Sequence, residues 1–369
     1  MPNRITIGFP RMNKESAELR VFMPAFIQYL THFADVYLEE GYGSRSGFLF
    51  DNYRRGNARV HQTSREDAFQ KDYVIVLRSP NEDEFSMLRP GACLISMLHY
   101  PTRPRRVEIL NQLGVNAISM DSVMDDKDIR LVENMRAVSW NGLEAAFDVL
   151  ERDCPDLMRK DQPYRVLVLG AGMVGKHAVE AATKLGNVER YNRHLKLRGP
   201  GSIALTVGRS ISQNPDQMRA LMRDTDIIVD ATSRHNTSQP VLPNEWIDWL
   251  PQHAVIADLA VDPYLLDCNP PVVRGVEGIP QGTLNQYIFM PDDPKWDKTV
   301  PESIPSENRR AVVSCYSWPG IHPVACMEHY GSQLEPLMEA LLTKGYDGIS
   351  EEGSYFERAL ARAKLPPVG

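Results

Sequence analysis

Residues 165–175, Arg-Val-Leu-Val-Leu-Gly-Ala-Gly-Met-Val-Gly, decide the fold of this chain. The first five residues form a near-continuous apolar run, which predicts a parallel strand buried on both faces. An alanine-rich stretch, residues 176–185, follows the last glycine and predicts a helix. A strand, a Gly-x-Gly-x-x-Gly turn and a helix in this order are typical of a unit that binds a dinucleotide.

The residues of the turn have separate predicted roles. Gly170 allows the tight turn, Gly172 lets the backbone approach a pyrophosphate, and Gly175 lets the helix pack closely on the strand. Met173 and Val174 lie at the start of the helix, where unpaired N–H groups and the positive end of the helix dipole favour a phosphate. We therefore predict that these five residues bind a dinucleotide. The alternative is a turn with only a structural role.

The end of the next strand predicts which dinucleotide binds. In NAD-dependent enzymes an acidic residue there accepts hydrogen bonds from the ribose 2′-hydroxyl. This chain has Gly208 at that position, followed by Arg209 and Ser210. A guanidinium pairs with a phosphate through a fork of donors. We therefore expect NADP(H), with its 2′-phosphate near Arg209 and Ser210; the alternative is that Arg209 is a solvated surface charge.

Apolar runs alternate with helical patterns along the whole chain, which predicts an α/β fold with parallel sheets. The predicted strands are 4–8, 35–39, 73–77, 92–98, 203–207, 226–231, 254–260 and 312–316. Helical patterns begin near residue 15 and cover 104–113 and 323–342, whereas 269–305 is rich in proline and has little periodicity. Asp230 and the loop 231–234 end one of the strands, so we expect Ala231 and Thr232 along the cofactor.

The composition excludes several classes of protein. The 369 residues suffice for two or three domains at about 150 residues each. A net charge of −7 argues against a nucleic-acid partner. No run approaches the roughly 18 apolar residues of a membrane span, and the first residues lack the apolar core of a signal peptide. The five cysteines show no metal-binding spacing, so we predict a cytoplasmic protein with no metal site.

Six segments spread over nearly the whole chain carry a family resemblance. They are Ile7-Gly-Phe-Pro10 with Leu19-Arg-Val21, Gly41-x-Gly-x-x-Ser-Gly-Phe48, Val76-Leu-Arg-Ser-Pro80, Leu98-His99, Asp258-Leu-Ala-Val-Asp262 and Trp318-Pro-Gly320. In this order they resemble the alanine dehydrogenase / pyridine nucleotide transhydrogenase α-subunit superfamily. Within it, the chain is most similar in character to the branches of N5-(carboxyethyl)ornithine synthase and the lysine-forming saccharopine dehydrogenases.

The resemblance implies two Rossmann-like, doubly wound α/β domains with the active site in the cleft between them. It implies a discontinuous substrate (catalytic) domain, residues 1–140 and 320–369, and a dinucleotide-binding domain, residues 141–319. We also expect a homo-oligomer.

The resemblance also suggests residue roles. Arg20 matches the arginine that grips the substrate carboxylate, a contact that suits its forked donors. Arg78 stands where the amino-acid dehydrogenases have a lysine; arginine can bind a carboxylate but stays protonated, so it cannot act as a general base. His99 matches the acid–base histidine. Asp262 matches an aspartate near substrate and nicotinamide, although it could instead cap a helix. Ser317 falls where the family presents an asparagine near the nicotinamide.

These features predict an NADP(H)-dependent oxidoreductase that acts on the C–N bond of an amino acid. The substrate would be an amino acid, or an oxoacid plus an amine whose imine is reduced in an opine-like reaction. Alanine-dehydrogenase-like oxidative deamination is the first alternative. Two features argue against it: Arg78 stands where those enzymes have a lysine, and the predicted cofactor pocket does not suit NAD. A transhydrogenase-like subunit would have no amino-acid substrate for Arg20 and His99 to hold. If the chain were a non-catalytic NADP-binding protein, the His99→Ala variant would bind the cofactor normally and its behaviour would be unchanged.

Overall fold

The computed structural model describes residues 4–153, 162–234 and 236–367. The chain divides into two compact units. Unit 1 comprises Met1–Asn134 and His322–Gly369, and unit 2 comprises Met135–Ile321. Unit 1 is therefore discontinuous, since the chain leaves it before the glycine turn and returns to it for the C-terminal helices.

In unit 1, the described residues form a six-stranded parallel sheet in the order β3-β2-β1-β4-β5-β6. Its strands are β1 (Thr6–Phe9), β2 (Asp35–Glu39), β3 (Val60–Thr63), β4 (Tyr73–Arg78), β5 (Cys93–Met97) and β6 (Asn116–Ser119). Its helices are α1 (Pro24–Leu30), α2 (Phe50–Arg54), α3 (Arg65–Phe69), α4 (Pro104–Gln112), α11 (Pro323–Lys344) and α12 (Tyr355–Arg362). This strand order is that of a Rossmann fold, and the direction of winding reverses between β1 and β4.

The core of unit 1 explains why the chain returns to it. Tyr330, Leu334, Leu337 and Leu341 of α11 recur every three or four residues, so they share one face of the helix. All four are buried in the same apolar cluster as β1, β2 and α1. The helix thus covers a sheet face built from residues some 300 positions earlier in the chain.

Unit 2 contains a second sheet, whose order within the described residues is β11-β12-β10-β9-β7-β8. All neighbours pair in parallel except β11 and β12. Its strands are β7 (Tyr164–Leu169), β8 (Ser202–Val207), β9 (Ile227–Asp230), β10 (Val255–Asp258), β11 (Ile288–Phe289) and β12 (Ala311–Ser314). Its helices are α5 (Met135–Asp153), α6 (Met173–Thr183), α7 (Val188–Lys196), α8 (Arg209–Ser212), α9 (Pro215–Met222) and α10 (Trp296–Thr299). The winding reverses between β7 and β9, which is where such sheets bind ligands.

One prediction about local structure was wrong. The helix expected near residue 15 does not form; the first helix begins at Pro24, a residue favoured at the first helical position. The segment before it is held by side-chain ion pairs of Glu15 and Glu18 instead. The proline-rich stretch 269–305 contains only two short elements in the described structure, β11 and α10.

The helices also bear on membrane insertion. Within residues 4–153, 162–234 and 236–367, no helix is both long and apolar enough to cross a lipid bilayer.

Candidate functional site

The glycine turn joins β7 to α6, and its three glycines meet different surroundings. Gly170 has φ +101°, and a Cβ there would lie 2.6 Å from the Ala231 carbonyl oxygen. A Cβ on Gly175 would lie 2.1 Å from the Gly170 carbonyl oxygen, so the helix start packs directly on the turn. A Cβ on Gly172 would meet no atom within 4 Å. Gly170 and Gly175 are therefore required by the protein itself, whereas the space beside Gly172 is open to a ligand.

A cavity of about 600 Å³ lies at the carboxyl edge of the unit 2 sheet. It is formed by the loops after β7, β8 and β9, on both sides of the point where the winding reverses. Residues of the predicted cofactor site that line it are Gly170, Gly172, Gly208, Arg209, Ala231 and Thr232. Val207, Val241 and Trp246 add an apolar wall, as in most small-molecule sites.

Other predicted cofactor residues lie outside the cavity lining. Met173, Val174 and Gly175 continue the turn into α6, and the side chain of Met173 is exposed. Ser210 is the second residue of α8. Ser317 is buried in unit 2 beside Trp318 and is not part of the cavity wall.

Arg209 is the first residue of α8, and it is exposed at the cavity. Among the described residues its guanidinium forms no ion pair or hydrogen bond. The space beside Gly172 and the guanidinium of Arg209 could each hold a phosphate group.

Asp230, the last residue of β9, fixes one wall of the cavity. Its Oδ1 accepts hydrogen bonds from the backbone N–H of Thr232, at 3.0 Å, and from the Thr232 hydroxyl, at 2.7 Å. Burial, together with the nearby charge of Asp258, raises the pKa of Asp230. The two bonds from Thr232 set the direction of the loop that follows the strand.

Asp262 follows β10 and is held by Arg234, a contact that could not be predicted from the sequence. Arg234 Nη2 donates to Asp262 Oδ2 at 2.7 Å. The Arg234 side chain is 5% exposed, whereas that of Asp262 is 32% exposed. The carboxylate is therefore anchored from the inside and accessible from the outside. Asp262 ends a short turn after β10 and does not cap a helix in the described structure.

The arginines predicted to bind substrate lie at the carboxyl edge of the unit 1 sheet, where its winding reverses. Arg20 is buried, and its Nε donates to Glu18 Oε1 at 2.8 Å. Arg78 ends β4, and its Nη1 lies 3.0 Å from both Glu18 Oε2 and Glu15 Oε1. Burial opposes ionisation of Glu18, but the hydrogen bonds from the two arginines hold its pKa below the usual value. The two guanidinium charges are thus matched by two carboxylates that the sequence analysis did not connect to them.

His99 is paired with a carboxylate that the sequence analysis also missed. Its Nδ1 lies 3.1 Å from Asp121 Oδ2, and its backbone N–H donates to Asp121 Oδ1 at 3.2 Å. His99 has φ +54°, an uncommon conformation for a residue other than glycine, and its side chain is 53% exposed. Although burial opposes it, hydrogen bonding to His99 and Ser119 lowers the pKa of Asp121 to about 2. The signal for Asp121 was its position just after β6, the strand beside β5.

Comparison with known proteins agrees with both units. A family model described as "Alanine dehydrogenase/PNT, N-terminal domain" matches residues 12–139. A second, "Alanine dehydrogenase/PNT, C-terminal domain", matches residues 158–263. Together they cover more than half of the chain. The chain belongs to the alanine dehydrogenase/PNT family.

Relatives within this family are distant. Alanine dehydrogenase of Bacillus subtilis is 23% identical over 272 residues, which are 69% of this chain and 70% of that protein. NAD(P) transhydrogenase subunit alpha of Haemophilus influenzae is 23% identical over 192 residues, half of this chain and 37% of that subunit. A solved L-alanine dehydrogenase superposes with a TM-score of 0.72 at 20% identity and covers 98% of this chain and 94% of its own. A solved transhydrogenase from Sinorhizobium meliloti superposes with a TM-score of 0.60 at 18% identity. The match covers 92% of this chain and 96% of that chain. The structural likenesses support two Rossmann-like units.

Proposed function

We propose that this family member is an NADP(H)-dependent oxidoreductase that acts on the C–N bond of an amino acid. In the favoured direction it reduces an imine formed from an oxoacid and an amine. The His99–Asp121 pair carries the proposal, because a partly exposed imidazole held by a buried carboxylate can exchange a proton with a substrate nitrogen. Family membership supports an oxidoreductase that uses a nicotinamide dinucleotide.

The cavity of unit 2 supports the choice of cofactor. The open space beside Gly172 suits the pyrophosphate, and Arg209 suits the 2′-phosphate of NADP(H). No acidic side chain stands at Gly208 to repel that phosphate. When bound, the nicotinamide supplies or accepts the hydride. Residues of the chain bind the substrate, orient it and exchange its proton.

The charge pattern around Arg20 refines the proposed substrate contact. Arg20 is buried and bonded to Glu18, whereas the Arg78 side chain is 21% exposed. We therefore assign the substrate carboxylate to Arg78. Glu18 accepts from both arginines, so Arg20 would position Arg78 through it. Arg78 stays charged throughout, which leaves proton exchange at the substrate nitrogen to His99.

Oxidative deamination of alanine is the second candidate, because alanine dehydrogenases are among the relatives. It would use the same proton-exchanging histidine. In the reductive direction the two candidates give different products. Reduction with ammonia gives a primary amine, whereas reduction with an amino acid gives a secondary amine.

The test is NADPH oxidation by the whole protein with a panel of oxoacids, each offered with ammonia or with an amino acid as the amine. We expect turnover with an oxoacid and amino acid pair and its loss in the His99→Ala variant. Turnover with pyruvate and ammonia alone would favour the alanine-dehydrogenase alternative. No oxidation with any pair, together with normal NADPH binding, would contradict the proposed function.

A further inference from the structure

Arg234 links the cofactor cavity to Asp262. It lies in the loop after β9 and lines the cavity. Nη1 donates to the Gln239 carbonyl at 2.7 Å, and Nη2 donates to both the Val273 carbonyl and Asp262 Oδ2. The guanidinium therefore joins its own loop, the segment around Val273 and the turn that carries Asp262.

The turn before Asp262 is strained and fixed. Val261 has φ +54°, which is unusual for a β-branched residue and persists only where the surroundings enforce it. Its N–H donates to Asp258 Oδ1 at 2.9 Å. The other oxygen of Asp258 is bound by Arg274 and by the Ser314 hydroxyl. The Asp262 side chain is thus directed toward Arg234 by a turn anchored at the end of β10.

The two oxygens of Asp262 differ in their surroundings. Oδ2 is bound to Arg234, whereas Oδ1 accepts no hydrogen bond from the described residues. The side chain is partly exposed. A carboxylate held by one oxygen and open at the other is arranged to accept an N–H or O–H from a bound molecule.

We propose that Arg234 is a positioning residue that holds Asp262 so that its second oxygen accepts a hydrogen bond from the substrate nitrogen. The proposal rests on the proposed function, which supplies an amine or imine nitrogen as the donor. Arg234 acts only through Asp262, because its own guanidinium is buried and bonded. Replacing Arg234 should therefore lower kcat because Asp262 is misplaced, and it should not weaken cofactor binding.

The test is a double-variant cycle with Arg234→Gln, Asp262→Asn and the two combined, with Arg234→Lys as the conservative variant. The measurements are kcat, the KM of each substrate, the Kd of NADPH and the thermal midpoint. Arg309→Gln is the matched control. Arg309 also binds backbone carbonyls and one aspartate, Asp297, in unit 2, but it does not line the cavity.

We expect Arg234→Gln and Asp262→Asn each to lower kcat by about 10- to 100-fold, as misplacement of a substrate contact does. NADPH affinity should stay within about threefold, since the proposed phosphate contacts lie at Gly172 and Arg209 and not at Arg234 or Asp262. The combined variant should be no slower than Asp262→Asn alone, and Arg234→Lys should recover part of the rate. Arg309→Gln should lower the thermal midpoint without lowering kcat.

Losses that multiply in the combined variant would overturn the proposal. So would a Arg234→Gln variant that loses NADPH affinity and thermal stability but keeps its kcat when saturated, because Arg234 would then only hold the loop. The thermal midpoints separate this result from failure of the proposed function. If the wild type turns over no substrate pair, a loss of stability in the combined variant that is smaller than the sum of the two single losses supports the Arg234–Asp262 link, and additive losses refute it.

Discussion

Arg209 is the residue on which the proposed preference for NADP(H) depends. Arg209 follows β8 after one residue, Gly208, and it lines the unit 2 cavity without an ion-pair partner in the described chain. A surface arginine with no partner contributes little to folding, so its effect on ligand binding can be measured with little interference from stability.

Arg209→Ala should weaken NADPH binding by about 10- to 100-fold and leave NADH nearly unchanged, since a charged hydrogen bond to phosphate contributes about 1.5–3 kcal/mol. Titration of both nucleotides against wild type and variant measures this. Arg198→Ala, at an exposed arginine outside the cavity lining, is the control. Equal weakening of NADPH and NADH would remove the argument for NADP(H).

Asp121 provides a prediction with a defined pH dependence. Its pKa falls from 3.8 to about 2 in the folded protein, so the folded state favours the ionised form. That contributes about 2 kcal/mol of stability above the unfolded pKa, and the contribution is lost as the pH falls toward 2. Asp121→Asn should therefore lower the free energy of unfolding at pH 7 but much less near pH 2.5. Denaturant unfolding at both pH values checks this; a loss that does not depend on pH would contradict it.

At the scale of elements, the three glycines of the turn differ. Gly170 and Gly175 are required by the fold, whereas the space beside Gly172 is open to a ligand. A side chain on Gly175 would collide with the Gly170 carbonyl, whereas one on Gly172 would enter open space. The strand, turn and helix were predictable because their signal is local: an apolar run, fixed glycine spacing and an alanine-rich stretch.

The two glycines should respond differently to substitution. Gly175→Ala should destabilise the protein by about 1–3 kcal/mol through overpacking. Gly172→Ala should leave the thermal midpoint nearly unchanged and weaken NADPH binding about tenfold or more, because the added methyl group lies where a pyrophosphate would approach the backbone. Thermal unfolding and NADPH titration of both variants distinguish the effects. A Gly172→Ala variant with wild-type affinity would place the phosphates elsewhere.

The pairing of site residues could not be predicted in the same way. Asp121 meets His99 because β5 and β6 are neighbours, and Glu18 meets Arg78 because β1 and β4 are neighbours. Local periodicity predicts where strands lie but not which strands are neighbours, so neither adjacency could be predicted from it. The missing helix near residue 15 has the same origin, since ion pairs to a distant strand hold that segment.

For the whole molecule, the sequence predicted two α/β units, and the structure shows a parallel sheet in one and a largely parallel sheet in the other. The net charge of −7 says little about the site. Arg20 and Arg78 were predicted to bind an anionic substrate, but Glu15 and Glu18 neutralise their charges. Arg209 has no such partner among the described residues, so its charge at the unit 2 cavity is not neutralised.

The proposed imine reduction is tested most directly by transfer of label from NADPH that carries deuterium at both hydrogen positions of nicotinamide C4, in the presence of a productive oxoacid and amino acid pair. Mass spectrometry of the product locates the deuterium. The proposed function predicts one deuterium on the carbon newly bonded to nitrogen, and no such product with the His99→Ala variant. Oxidised cofactor without deuterium in an amino-acid product would contradict it.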